Sequence, residues 1–190
     1  VNEFDSKAMV VSAHPLASEI GINILKNGGN AADATIAVQF ALAVVYPSAG
    51  NIGGGGFFVY RNKDGQCSTL DFREKAPLTS TRDMYLDSSN NVIKNLSLYS
   101  HLAVGVPGTV DGMVNIHEKH GQLPWKELVQ PAIDLATNGF ELTRLEANKL
   151  NRFNKTNGTK NKNSEYYKEH FYEGDSIFLP QLSKTLTLIR

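Results

Sequence analysis

The strongest candidates for chemistry in this chain close a stretch from Pro47 to Pro77, PSAGNIGGGGFFVYRNKDGQCSTLDFREKAP. Arg73 and Glu74 stand together at its end: a planar, permanently charged guanidinium beside a carboxylate. An arginine at the end of an apolar strand has to find an anion, because an unpaired guanidinium is costly away from water. The commoner fate of a charged strand end is a structural ion pair, here with Asp71 or Glu74; the other is a bound ligand. Upstream, Gly50 and the run Gly53 to Gly56 make either a flexible spacer or a place where backbone must approach something closely. The dense apolar flanks, Phe40 to Val45 and Phe57 to Tyr60, argue against a spacer.

Other candidate chemistries are weaker. Gly105-x-x-Gly108, between an expected strand and an expected helix, resembles half of a phosphate-cradling turn. It lacks the Lys-Ser/Thr of a P-loop and the spacing of a dinucleotide fingerprint, so a tight structural turn is the preferred reading. In His117-Glu118-Lys119-His120 the second histidine comes one residue too early for the i, i+4 metal pattern. A solvated helix C-terminus is favoured there. His14, His101 and His170 have no carboxylate or cysteine at ligand spacing, so no metal is assigned. Cys67, the only cysteine, excludes a disulfide within the chain and reads as a small core residue on a strand rather than a nucleophile. Asn95, Asn154 and Asn157 begin formal glycosylation sequons that an asparagine-rich composition explains equally well.

The elements that must position Arg73 follow from periodicity. Met9 to Ala13 reads as a short strand handing over to His14-Pro15, where Pro15 suits a first helical turn. Leu16, Ile20, Ile24 and Leu25 continue that helix to a glycine stop at Gly28-Gly29. A second helix starts after Asn30, a good N-cap, with Asp33 in its first turn. Ala31 to Tyr46 is apolar on nearly every face, so this helix is expected to be buried on more than one side. Phe57 to Arg61 and about Ser68 to Phe72 form a hairpin around Asn62-Lys63-Asp64-Gly65.

Leu78 to Asn95 reads as surface turns, and His101 to Val106 as another strand. Helices are expected from Thr109 or Asp111 to about His120, from Leu123 to Asn138 with Trp125, Leu128, Val129, Ile133 and Leu135 facing the core, and from Glu141 to Arg152. Residues 151–168, rich in Asn and Lys, read as a mobile surface excursion. Leu182, Leu186 and Ile189 mark a last helix whose apolar face runs to Arg190, which suggests that more polypeptide follows.

The whole chain bounds the function classes. Its 190 residues suffice for one domain with a sizeable core. Lys plus Arg balances Asp plus Glu at 19 each, so no long-range field points to nucleic acid or an anionic membrane. No uninterrupted apolar stretch is long enough to span a bilayer as a helix. A secretion signal is either already removed or not included.

GGNAADA at Gly28 to Ala34, AGNIGGGGF, DFREKAP and GVPGTV at Gly105 to Val110 occur in the order of one family, from about Met9 onward. The chain resembles the N-terminal part of the large subunit of γ-glutamyltranspeptidases. The resemblance implies an α/β fold, the αββα sandwich of N-terminal nucleophile hydrolases, of which this chain supplies an incomplete domain. It implies a secreted or periplasmic enzyme that cleaves γ-glutamyl amides such as glutathione and passes the γ-glutamyl group to water or an amino acid. The precursor cuts itself, and the threonine heading the small subunit is nucleophile and, through its α-amine, general base.

Arg73 matches the arginine that holds the donor's α-carboxylate, and Glu74 would orient it or add polar contacts. No cofactor or metal is implied. Thr35, Thr69, Thr79 and Thr109 lie inside other motifs, so no catalytic nucleophile is expected in this chain, and the chain alone is expected to be inactive. The alternatives are a non-catalytic truncated module that binds a partner or a small anion, and a superfamily relative acting on poly-γ-glutamate or cephalosporins.

Overall fold

The computed structural model describes residues 7–157 and 170–190. In chain order it contains α1 (Pro15–Lys26), α2 (Ala31–Val45), β1 (Phe57–Arg61), β2 (Cys67–Asp71), α3 (Leu96–Tyr99) and α4 (Thr109–His120). Then follow α5 (Trp125–Asn138), β3 (Phe140–Glu141), α6 (Arg144–Asn157), β4 (Ser176–Ile177) and α7 (Pro180–Ile189). Two compact units are formed, one by the chain up to Gly50 together with Ile116–Arg190, the other by Asn51–Asn115.

The first unit is built around α2. Ten of its fifteen residues are buried, among them Ile36, Phe40, Val44 and Val45, as expected for a helix apolar all round. It packs against α1 on one side and α5 on another, and α5 in turn carries α7. Leu128, Val129, Ala132, Ile133 and Ala136 form the buried face of α5. The Trp125 ring meets Phe40 edge-on at 5.7 Å, and its Nε1 donates to the Ile189 carbonyl at 2.9 Å. β3 and β4 make a small antiparallel pair, Phe140 opposite Ile177.

The GGNAADA motif does mechanical work in this unit. The Asn30 amide oxygen accepts from the N–H groups of Ala32 and Asp33 at 2.8 and 3.0 Å, which caps α2. Its Nδ2 donates to the His120 carbonyl at the end of α4, 2.7 Å away. Asp33 is fully buried. Its carboxylate closes the capping box on the Asn30 N–H at 2.9 Å and also accepts the Gln122 N–H at 3.0 Å. One buried charge therefore ties the start of α2 to the turn after α4.

In the second unit the hairpin pairs Phe57 with Asp71, Val59 with Thr69 and Arg61 with Cys67. The Phe72 N–H extends the ladder to the Gly56 carbonyl at 3.0 Å. The Asn62 carboxamide oxygen accepts from Asp64 and Gln66 N–H groups and Gly65 takes φ +84°, so the turn forms where its residues place it.

Four expectations are corrected. Met9 to Ala13 is not a strand: no neighbouring strand pairs with it among the described residues, and the Ser12 N–H goes instead to the Ser18 hydroxyl in α1 at 3.1 Å. His101 to Val106 is not a strand either; His101–Ala103 is a 3-10 turn, and only Val106 pairs, with Lys75. Leu102 and Val104 there are exposed, so apolar character alone did not bring a sheet to this segment. Cys67 is exposed, at the turn end of the hairpin, and is not a core residue. The last residues of α6 run beyond Arg152 to Asn157, so residues 151–157 of the expected excursion are helical, and residues 158–168 of it lie outside the described residues.

Asp33→Ala leaves the N–H groups of Asn30, Gln122 and Leu123 without their buried acceptor, and in the full-length protein it is expected to lower stability by roughly 3 kcal/mol. Thermal unfolding beside Asp33→Asn, which keeps one acceptor oxygen, checks this; an unchanged midpoint for the alanine variant would contradict the clip.

Candidate functional site

Arg73 sits just past the end of β2, and its surroundings explain the glycines. A Cβ at Gly55 would lie 2.5 Å from the Phe72 carbonyl oxygen and 2.6 Å from the Arg73 Cα. A Cβ at Gly108 would lie 2.1 Å from the same carbonyl oxygen and 3.1 Å from that of Arg73. The Phe72–Arg73 backbone thus passes between two positions that no side chain could occupy. The Gly54 carbonyl accepts the N–H groups of Gly108 and Thr109 at 2.8 and 3.1 Å. The buried Thr109 hydroxyl donates to the Asn51 carboxamide at 3.1 Å. The N–H groups of Val106, Gly108 and Thr109 are therefore taken by protein carbonyls, which fits the structural turn expected from the sequence.

The Arg73 N–H donates to Asp71 Oδ1 at 3.0 Å. The guanidinium does not pair with Asp71 or Glu74; among the described residues no carboxylate lies within 4.0 Å of it. Its carbon stands 5.9 Å from the centroid of the Phe57 ring. Arg73 and Glu74 are both exposed. Glu74 makes no ion pair among the described residues, so the two site residues are adjacent without engaging each other.

A concavity of about 600 Å³, lined by His14, Tyr46, Phe140, Glu146 and Lys149 among others, lies in the first unit, away from Arg73 in sequence. His14 caps α1, its Nδ1 accepting the Leu16 N–H at 3.2 Å, so the ring proton is on Nε2. That atom faces Glu146 Oε1 at 2.7 Å, off the ideal hydrogen-bond direction. Glu146 Oε2 accepts the N–H and hydroxyl of Thr143 at 2.8 and 2.7 Å, a capping box for α6. Burial acts most strongly on this carboxyl and pushes its pKa up. The two Thr143 donors and the His14 ring outweigh burial, and the group titrates below its ordinary 4.5. Sequence spacing missed this pair because its members lie on distant helices. Among the described residues no three His, Cys, Asp or Glu side chains gather as a metal site, and His117 spends its Nε2 on the Leu123 carbonyl at 2.8 Å.

A family model described as Gamma-glutamyltranspeptidase matches residues 17–190. The chain belongs to the γ-glutamyltranspeptidase family. It is 47% identical over 185 residues to the glutathione hydrolase proenzyme of Pseudomonas sp. (strain A14), covering 95% of this chain and 32% of that protein. Against the glutathione hydrolase proenzyme of Escherichia coli (strain K12) the identity is 43% over 187 residues, with 96% and 32% covered. The chain thus spans about a third of the length of these curated relatives.

Among solved structures, Helicobacter pylori γ-glutamyltranspeptidase matches with a TM-score of 0.89 at 45% identity, covering 97% of this chain and 54% of that one. The Bacillus anthracis transpeptidase CapD matches with 0.78 at 34%, covering 97% and 58%. A cephalosporin acylase from Bacillus halodurans, 24% identical with a TM-score of 0.76 over 100% of this chain and 38% of that one, shares the fold. The fold is α/β, of the N-terminal nucleophile hydrolase type, and the expected family is borne out. No helix among the described residues is long and apolar enough to cross a membrane.

Three of the sequence motifs meet around one peptide: AGNIGGGGF and GVPGTV enclose the backbone of DFRE. Gly55→Ala and Gly108→Ala are therefore expected to destabilise the full-length protein by about 1–3 kcal/mol each. Gly53→Ala, where an added Cβ meets nothing within 4 Å, leaves the thermal midpoint nearly unchanged; equal effects at all three would contradict the close passage. For Glu146, a depressed folded pKa means a contribution present above the unfolded value and lost as pH falls through the folded one. The stability gap between the unsubstituted protein and Glu146→Gln is expected to be largest near neutrality and to close below pH 4.5; a gap constant with pH contradicts this.

Proposed function

We propose that the full-length protein carrying this sequence is a γ-glutamyltransferase and glutathione hydrolase, and that Arg73 holds the α-carboxylate of its γ-glutamyl donor. The observation that carries this reading is a guanidinium on a backbone closely packed between Gly55 and Gly108, exposed, with no carboxylate in ion-pair range among the described residues. A planar fork of N–H donors matches a carboxylate with two parallel hydrogen bonds. Glu74, adjacent and uncommitted among the described residues, adds polar contacts beside it.

In this reading the nucleophile is the threonine heading the small subunit of a self-cleaved precursor, and none of residues 1–190 plays that part. Its hydroxyl attacks the γ-carbonyl, its α-amine takes the proton, and the amine of the donor leaves. The resulting γ-glutamyl ester is then released to water or to the amino group of an acceptor. Arg73 contributes binding and placement of the carbonyl relative to the hydroxyl, which is where a held substrate gains most. The relatives named as proenzymes support the precursor. The same kinship supports reading the protein as periplasmic or secreted, with γ-glutamyl compounds such as glutathione as substrates. Nothing specific in the site favours the non-catalytic module.

In the full-length protein, Arg73→Ala is expected to raise KM and lower kcat/KM for γ-glutamyl-p-nitroanilide by at least about ten-fold, the loss of one charge-assisted hydrogen bond or more, while self-cleavage proceeds. Arg73→Lys recovers part of it, because a point ammonium cannot reproduce the fork. An unchanged kcat/KM in Arg73→Ala would remove the carboxylate role.

A further inference from the structure

We infer that Phe57 and Asp71, cross-strand partners at the open end of the hairpin, are positioning residues that together aim the Arg73 guanidinium at the donor's carboxylate; this rests on the carboxylate role proposed for Arg73. The two face each other in the β1–β2 register, and each touches a different part of Arg73. Asp71 Oδ1 takes the Arg73 N–H at 3.0 Å and so fixes where the side chain leaves the backbone. The Phe57 ring lies 5.9 Å from the guanidinium carbon, within range for a cation to be attracted by the ring quadrupole.

An arginine side chain has several rotatable bonds, and its freedom is lost each time it clamps a ligand. A ring within cation–π range of the guanidinium favours one set of its orientations beforehand, and leaves N–H groups for a carboxylate. Asp71, although a carboxylate two residues from the arginine, satisfies the backbone and leaves the guanidinium's charge for the ligand.

The test compares two donors in the full-length enzyme: γ-glutamyl-p-nitroanilide, and 4-aminobutanoyl-p-nitroanilide, which is the same donor without its α-carboxylate. The readout is the ratio of their kcat/KM values, measured in preparations whose self-cleavage and thermal midpoint match the unsubstituted protein. Phe57→Leu is expected to lower the ratio by roughly 2- to 30-fold, the range of a cation–π contact from exposed to desolvated. Phe57→Tyr, which keeps the ring, restores most of it. Asp71→Ala lowers the ratio too, and Asp71→Asn, which keeps an acceptor for the Arg73 N–H, restores it. Should Phe57→Leu fail to mature, Phe57→Met is read in the same way.

A ratio unchanged in Phe57→Leu and Asp71→Ala while Arg73→Ala collapses it would overturn this inference and leave the Arg73 clamp standing. A ratio unchanged in Arg73→Ala would overturn the clamp, and the inference with it. Equal losses for both donors in the Phe57 variants would make the residue structural only and would likewise overturn the inference.

Discussion

The passage of the Phe72–Arg73 backbone between Gly55 and Gly108 is the constraint from which the geometry of the second unit follows. Side chains at either glycine would stand 2.5 Å or less from the Phe72 carbonyl oxygen, well inside contact distance, so the chain can take this path only where both are absent. The close approach is then locked by hydrogen bonds from the Gly108 and Thr109 amides to Gly54 and by the Thr109–Asn51 pair. Arg73 consequently leaves a backbone packed closely on two sides. A long cationic side chain on a fixed base, with its charge uncommitted among the described residues, is suited to hold a small anion in one place.

The first unit depends on a different device, a buried carboxylate surrounded by N–H donors. The fully buried Asp33 carboxylate accepts three backbone N–H groups from two segments, Asn30 before α2 and Gln122–Leu123 after α4. Such an acceptor resists being moved, since three N–H groups would lose their partner with it. The apolar α2 supplies burial on all sides, and the Asn30–Asp33 clip supplies the direction that burial alone does not specify.

Much of this was legible in the sequence, for physical reasons that differ by element. Periodicity and caps marked α1, α2, α4, α5 and α7, because Pro15, Asn30 and the glycine stops act locally. The hairpin was legible from Asn62 to Gly65, whose side-chain and φ preferences do not depend on distant partners. Met9 to Ala13 and His101 to Val106 misled, because a strand exists only where a neighbour pairs with it, and local apolar character does not say where that neighbour is. The position of Arg73 was readable from its motif. Its freedom from Asp71 was not, because sequence proximity cannot distinguish a carboxylate that reaches a guanidinium from one that reaches the backbone N–H beside it. The His14–Glu146 pair and the meeting of Gly55 with Gly108 were out of reach for the same reason: both are made by chain folding over long separations.

The proposed site turns on where the Arg73 guanidinium finds its anion. The most direct measurement is a crystal structure of the full-length protein with L-glutamate bound, reading the distances from the Arg73 nitrogens to the ligand's α-carboxylate oxygens. Two parallel contacts at about 2.7–2.9 Å, with the Phe72–Arg73 backbone still held between Gly55 and Gly108, are the predicted result. A carboxylate bound elsewhere, or an Arg73 committed to a protein carboxylate while the ligand is in place, would contradict it.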